Sequence, residues 1–142
     1  MARWDYGSRV MPRFEPHPDR RPVVVTGAGT GIGRAIAIGL AAAGFPVVLG
    51  ARRIERCEDV ATEIRGSGGE AYALSLDVTD DSSVTSFVDA AVAAAGPIEV
   101  LVSNAGDVRP VTVTEASAEL FAAQLAVNLA GPQHLIRALV PA

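Results

Sequence analysis

The chain has 142 residues, 49% hydrophobic and 20% charged, with a formal net charge of −4 and a pI near 5.1. That length and apolar content suit one globular domain with a real core, and the acidic balance leaves no basic footprint for nucleic acid. A single cysteine, Cys57, excludes an internal disulfide and fits a reducing cytoplasm, while no apolar run is long enough to span a bilayer.

Residues 1–21 carry Pro12, Pro16 and Pro18, five arginines and little apolar periodicity. Such a segment buries too little surface to order itself and reads as a flexible arm. Arg3, Asp5, Arg9 and Arg13 interrupt what would be the apolar core of a signal peptide, so the reading is cytoplasmic.

From Pro22 onward, strand and helix patterns alternate. Val23-Val24-Val25 is an unbroken β-branched run, as a strand buried on both faces of a parallel sheet requires. Thr26-Gly27-Ala28-Gly29-Thr30-Gly31-Ile32-Gly33 follows. Glycine permits a tight turn and close backbone approach to a ligand, and the helix that opens there presents unpaired N–H groups to phosphate. Ile32, Ile36 and Leu40 then recur at helical spacing, and Gly44 with Pro46 marks the stop.

Val47-Val48-Leu49 is a second apolar strand, running into Gly50-Ala51-Arg52-Arg53. The next helix places Cys57, Val60, Ala61 and Ile64 on one face, which makes Cys57 a core residue. Gly66 to Gly69 breaks it. Ala71 to Leu76 is a third strand, ending at Asp77-Val78, and Thr79 or Asp80 caps a helix with Val84, Phe87, Val88, Ala91 and Ala95 on its apolar face. After Gly96-Pro97, Val100-Leu101-Val102 is a fourth strand that ends in Ser103-Asn104-Ala105-Gly106. A polar loop leads to a helical region from about Ser117 toward Val140, where Gly131-Pro132 predicts a kink or break. The alternation predicts an α/β fold, a doubly wound parallel sheet with right-handed crossovers.

The glycines at 27, 31 and 33 spell G-x-x-x-G-x-G rather than the general dinucleotide pattern G-x-G-x-x-G, because Ile32 and Arg34 occupy the positions that pattern needs as glycine. Thr26-Gly27-x-x-x-Gly31-Ile32-Gly33 resembles instead the opening motif of the short-chain dehydrogenase/reductase family. Asp77-Val78, Asn104-Ala105-Gly106 and Asn128 within Val127-Asn128-Leu129-Ala130-Gly131 match that family's later segments, in its order, over residues 22–142. The resemblance implies a Rossmann-type domain over 22–142, with hydride transfer between a carbonyl and an alcohol. It implies that Gly27, Thr30, Gly31, Ile32 and Gly33 cradle the cofactor phosphates. Asp77 and Val78 would border the adenine, and Asn104, Ala105 and Gly106 the nicotinamide ribose. Asn128 would belong to a catalytic tetrad with serine, tyrosine and lysine.

At the end of the second strand an acid selects NAD by holding the ribose 2′-hydroxyl, whereas arginine accommodates a 2′-phosphate. Arg52 and Arg53 stand there with no acid before Glu55, which favours NADP(H) over NAD(H). All twelve basic residues are arginine, and the tyrosines are Tyr6 and Tyr72. The family's serine and Y-x-x-x-K pair, which lie beyond the asparagine helix, have no counterpart, so the reading is a cofactor-binding half, an incomplete domain. Its partners would be a small carbonyl or alcohol substrate and, as an option, further copies of the chain, with no nucleic acid, membrane or metal. A non-catalytic NADP(H)-binding module stays open beside the enzyme. Another nucleotide-binding enzyme, such as a methyltransferase, fits the glycine spacing and Asn104-Ala105-Gly106 less well.

Overall fold

The computed structural model describes residues 19–140. The expected arm lies outside the described residues except for 19–21, where Arg20 pairs with Glu70 at 2.6 Å and Arg21 with Glu99 at 3.1 Å. Four parallel strands form one sheet: β1 Val23–Thr26, β2 Val47–Ala51, β3 Ala71–Ser75 and β4 Val100–Val102. Their order is β3-β2-β1-β4, with Val24 level with both Val48 and Leu101. The first three strands build outward in one direction; the chain then crosses back to lay β4 on the other side of β1. A crevice opens at the carboxyl ends of the strands where the order reverses in this way.

Strand alternation divides the core in two. Val23 and Val25 of β1 join Val47 and Leu49 of β2 against helices α1 (Gly31–Ala42) and α2 (Ile54–Gly66). Val24 and Val48 face the other way, against α3 (Asp81–Ala95) and Leu135 of α5 (Gly131–Leu139). With both faces covered, β1 is buried throughout and its run of valines is accounted for. Cys57 is fully buried in the first of these cores.

In two helices the contacts go beyond what the sequence pattern carried. In α1 the buried residues are Gly33, Ala37 and Ala41, whereas Ile32 is 74% exposed and Ile36 and Leu40 only half-buried. The helix packs too close to the turn for a large side chain: a Cβ on Gly33 would sit 2.3 Å from the carbonyl oxygen of Gly27. In the last helical region the break takes the form of a π-helical turn, Ala126–Ala130, between α4 (Ala118–Leu125) and α5. Pro132 falls in the first turn of α5, where its missing N–H costs least.

Asp80, rather than Thr79, caps α3, its carboxylate accepting from the Ser82 and Ser83 N–H groups at 2.8 and 3.2 Å. Ser117 caps α4 by accepting from the Leu120 N–H at 3.1 Å. No helix among the described residues is long and apolar enough to cross a membrane.

Candidate functional site

A cleft of about 1110 Å³ lies at the carboxyl ends of the strands. The segments after all four strands meet there: Gly27 to Gly33 after β1, Arg52 and Arg53 after β2, Asp77 and Val78 after β3, and Asn104 to Gly106 after β4. All twelve residues assigned to the cofactor from the sequence, Gly27, Thr30, Gly31, Ile32, Gly33, Arg52, Arg53, Asp77, Val78, Asn104, Ala105 and Gly106, line it.

The glycine turn is shaped by left-handed backbone at Gly27 (φ +65°) and Gly31 (φ +53°), a conformation that side-chain-bearing residues rarely adopt. A Cβ on Gly31 would meet nothing within 4 Å, so the space beside the turn is open. Thr30 occupies the N-cap of α1, yet its side chain makes no capping hydrogen bond and no acidic residue lies in the first turn. This helix end, unlike those of α3 and α4, is left without a side-chain acceptor, in a place that suits a phosphate.

The turn is fastened to the segment after β4 by Thr26, which is fully buried. Its hydroxyl accepts from the backbone N–H groups of Asn104 (3.0 Å) and Ala105 (2.9 Å). The Asn104 side-chain N–H₂ donates to the carbonyl oxygens of Thr26 (3.0 Å) and Gly27 (3.4 Å). Asn104 thus shapes the floor of the cleft by holding two loops together.

Arg52 and Arg53 are exposed at the cleft's edge, and neither makes an ion pair with a carboxylate among the described residues. Asp77 is already committed in part: its Oδ1 accepts from the Thr79 hydroxyl at 2.7 Å and the Thr79 N–H at 2.9 Å. The Thr79 hydroxyl, then its N–H, and less strongly the charge of Arg52 hold the Asp77 carboxyl below the usual aspartate range. Val78 is nearly buried, and a Cβ on Gly131 would come within 2.8 Å of its side chain.

Asn128 does not line the cleft but supports it. Its Oδ1 accepts from the Asp107 N–H at 2.9 Å and its Nδ2 donates to the Asp107 carbonyl oxygen at 2.8 Å. Both ends of the amide are therefore spent on the loop after β4. Asp107 in turn pairs with Arg109 at 3.0 Å.

Gly29, Arg56, Asp107 and Arg109 also line the cleft, although no motif singles them out. Thr26 stands in the glycine motif, which by itself gives it no role. For Arg56 a signal existed: it stands three residues after Arg53 and so shares a helix face with it.

The family model described as short chain dehydrogenase matches residues 21–142. An uncharacterized oxidoreductase, YxbG, of Bacillus subtilis is 37% identical over 124 residues, covering 87% of this chain and 45% of that protein. The alcohol dehydrogenase of the archaeon Thermococcus sibiricus, solved with 5-hydroxy-NADP, superposes with a TM-score of 0.80 at 37% identity, over 84% of this chain and 51% of its own. A variant of actinorhodin polyketide ketoreductase with NADPH gives a TM-score of 0.82 at 32% identity, over 88% and 48%. The chain spans about half the length of each of these three relatives.

Proposed function

The chain belongs to the short-chain dehydrogenase family, and from that membership we propose that its cleft holds NADP(H) for interconverting a small carbonyl compound and its alcohol. The observation that carries the choice of cofactor is the end of β2, where Arg52 and Arg53 line the cleft without carboxylate partners among the described residues. A carboxylate at that place would favour a free 2′-hydroxyl, whereas guanidinium groups suit a 2′-phosphate.

The donor set fits such a dinucleotide. Gly27, Thr30, Gly31, Ile32 and Gly33 offer a turn with open space and the uncapped start of α1 to the pyrophosphate. Asp77 and Val78 border the adenine, and Asn104, Ala105 and Gly106 the nicotinamide ribose. Held by these residues, the dinucleotide would supply the hydride chemistry that interconverts a carbonyl compound and its alcohol. Asn128 serves this chemistry as a positioning residue, since its amide fixes Asp107 and through it the strip that faces the ribose.

Calorimetric titration with NADP⁺ and NAD⁺ tests the reading. A charge-assisted contact contributes about 1.5–3 kcal/mol, so NADP⁺ should bind at least about tenfold more tightly. Equal affinities would sink the assignment, and Arg52→Ala should narrow the gap.

A second reading, a cofactor-holding module without turnover of its own, is favoured by the state of the cleft's two carboxylates. Asp77 is engaged by Thr79 and Asp107 by Arg109. General acid–base catalysis needs a titratable group within reach of the substrate oxygen, and the cleft's other charged residues are arginines. Cofactor oxidation against a panel of aldehydes and ketones separates the two readings; turnover by the 142-residue chain would exclude the module.

A further inference from the structure

Nine arginines lie among the described residues. Six of them pair with carboxylates: Arg20 with Glu70, Arg21 with Glu99, Arg34 with Glu63, Arg65 with Glu58, Arg109 with Asp107 and Arg137 with Asp81. The three without such a partner are Arg52, Arg53 and Arg56, and all three line the same cleft. In a chain of net charge −4, guanidinium groups without ion pairs gathered at one edge of one cavity mark the place of an anion.

The position of Arg56 sharpens this. Arg53 is the N-cap residue of α2 and Arg56 lies in its first turn, its N–H donating to the Arg53 carbonyl oxygen at 3.2 Å. Residues three apart are neighbours on a helix surface, so two like charges repel there. The positive end of the helix dipole disfavours both. Glu55 stands between them in sequence and makes no ion pair with either among the described residues. An arrangement locally unfavourable on both counts is relieved by a dianion.

Access for Arg56 depends on the glycine turn. A Cβ on Gly29 would lie 2.6 Å from the Cβ of Arg56 and 3.4 Å from its backbone carbon. The bare backbone at 29 lets α2 press its first turn against the phosphate turn and carry Arg56 into the cleft. We infer that Arg56 is a specificity-determining residue, a third guanidinium for the 2′-phosphate beside Arg52 and Arg53. This inference rests on the NADP(H) reading above and adds to it a residue, with Gly29 as the position that admits it.

The test compares two nucleotides that differ in the 2′-phosphate alone, adenosine 2′,5′-bisphosphate and adenosine 5′-monophosphate, by calorimetry on the whole chain and on Arg56→Ala. Arg56 is exposed, and a thermal melt confirms that the variant is folded. Loss of one charge-assisted contact should weaken bisphosphate binding about tenfold and leave the monophosphate unchanged. Arg56→Lys, which keeps the charge and loses the planar fork, should fall between. Unchanged bisphosphate binding, or an equal loss for both nucleotides, would overturn the role of Arg56 while the cofactor reading stands. A wild-type chain that does not distinguish the two nucleotides would overturn both.

Discussion

The buried hydroxyl of Thr26 accepts the backbone N–H of Asn104 at 3.0 Å, and the side-chain amide of Asn104 returns a hydrogen bond to the Thr26 carbonyl oxygen at the same distance. Because the hydroxyl also takes the Ala105 N–H at 2.9 Å, one side chain satisfies two backbone donors. Thr26→Val keeps the shape and orphans the Ala105 N–H, leaving the Asn104 N–H with the Val102 carbonyl oxygen at 3.1 Å. An unpaired buried donor costs about 1–3 kcal/mol, so urea unfolding should show a loss within that range. Thr26→Ser should recover most of it. A Val variant unfolding at the wild-type midpoint would remove the fastening role.

Two glycines of the same helix should respond in opposite directions. At Gly33 a Cβ would meet the Gly27 carbonyl oxygen at 2.3 Å and the Asn104 Nδ2 at 2.5 Å, so Ala must push α1 off the turn. Overpacking of this kind costs about 1–3 kcal/mol, occasionally more. At Gly39 a Cβ would meet nothing within 4 Å, and Ala should add about 0.5–1 kcal/mol of stability through helix propensity. Thermal melts of Gly33→Ala and Gly39→Ala should move apart, the first downward with loss of nucleotide binding. A Gly33→Ala variant that melts with wild type would mean the helix has room to spare.

Burial pushes the Cys57 thiol up to about 11 from 9.0, with the charge of Glu58 adding to it. The folded thiol is thus neutral and inert at pH 8, and labelling by a thiol reagent should proceed only as fast as the domain opens. The sign for stability follows: burial favours the neutral thiol, so its contribution is complete below pH 9 and is lost as pH rises from about 9 toward 11. Cys57→Ala should flatten that alkaline slope in denaturant titrations. Rapid labelling of the native chain would place Cys57 outside the core.

β4 lies at the edge of the sheet, and only half-buried, with Glu99 as the charge beside it. The helices after it expose Phe121 (61%), Leu129 (66%) and Ile136 (52%). An open strand edge next to apolar surface recruits other chains. Light scattering of the 142-residue chain should rise with concentration, and Phe121→Gln with Leu129→Gln should reduce it without changing the circular dichroism. A monodisperse monomer melting cooperatively at about 45–65 °C would show that these surfaces are tolerated.

Much of this molecule is dictated by local chemistry. Three consecutive valines demand a strand covered on both faces, and the described core supplies a cover for each. The glycines at 27, 31 and 33 announce a turn, and the family resemblance names what the turn is for. The segments after the four strands fall at one cleft because parallel strands with crossover helices put all their carboxyl ends on the same side.

Tertiary contact decided what no period could. Ile32, Ile36 and Leu40 recur at helical spacing in α1, and Ile36 and Leu40 do pack against the core, but the fully buried residues are Gly33, Ala37 and Ala41. Hydrophobicity ranks side chains by size, whereas a helix resting on a backbone carbonyl is ranked by clearance, and clearance is set by the partner. The same holds for Asn128, whose amide is spent on Asp107, twenty-one residues earlier in the chain. It holds for Arg56, one of nine described arginines until the ion pairs of the others are seen. Which charge is left unpaired depends on neighbours brought together by folding, because a salt bridge requires approach to within a few ångströms and sequence distance says nothing about that.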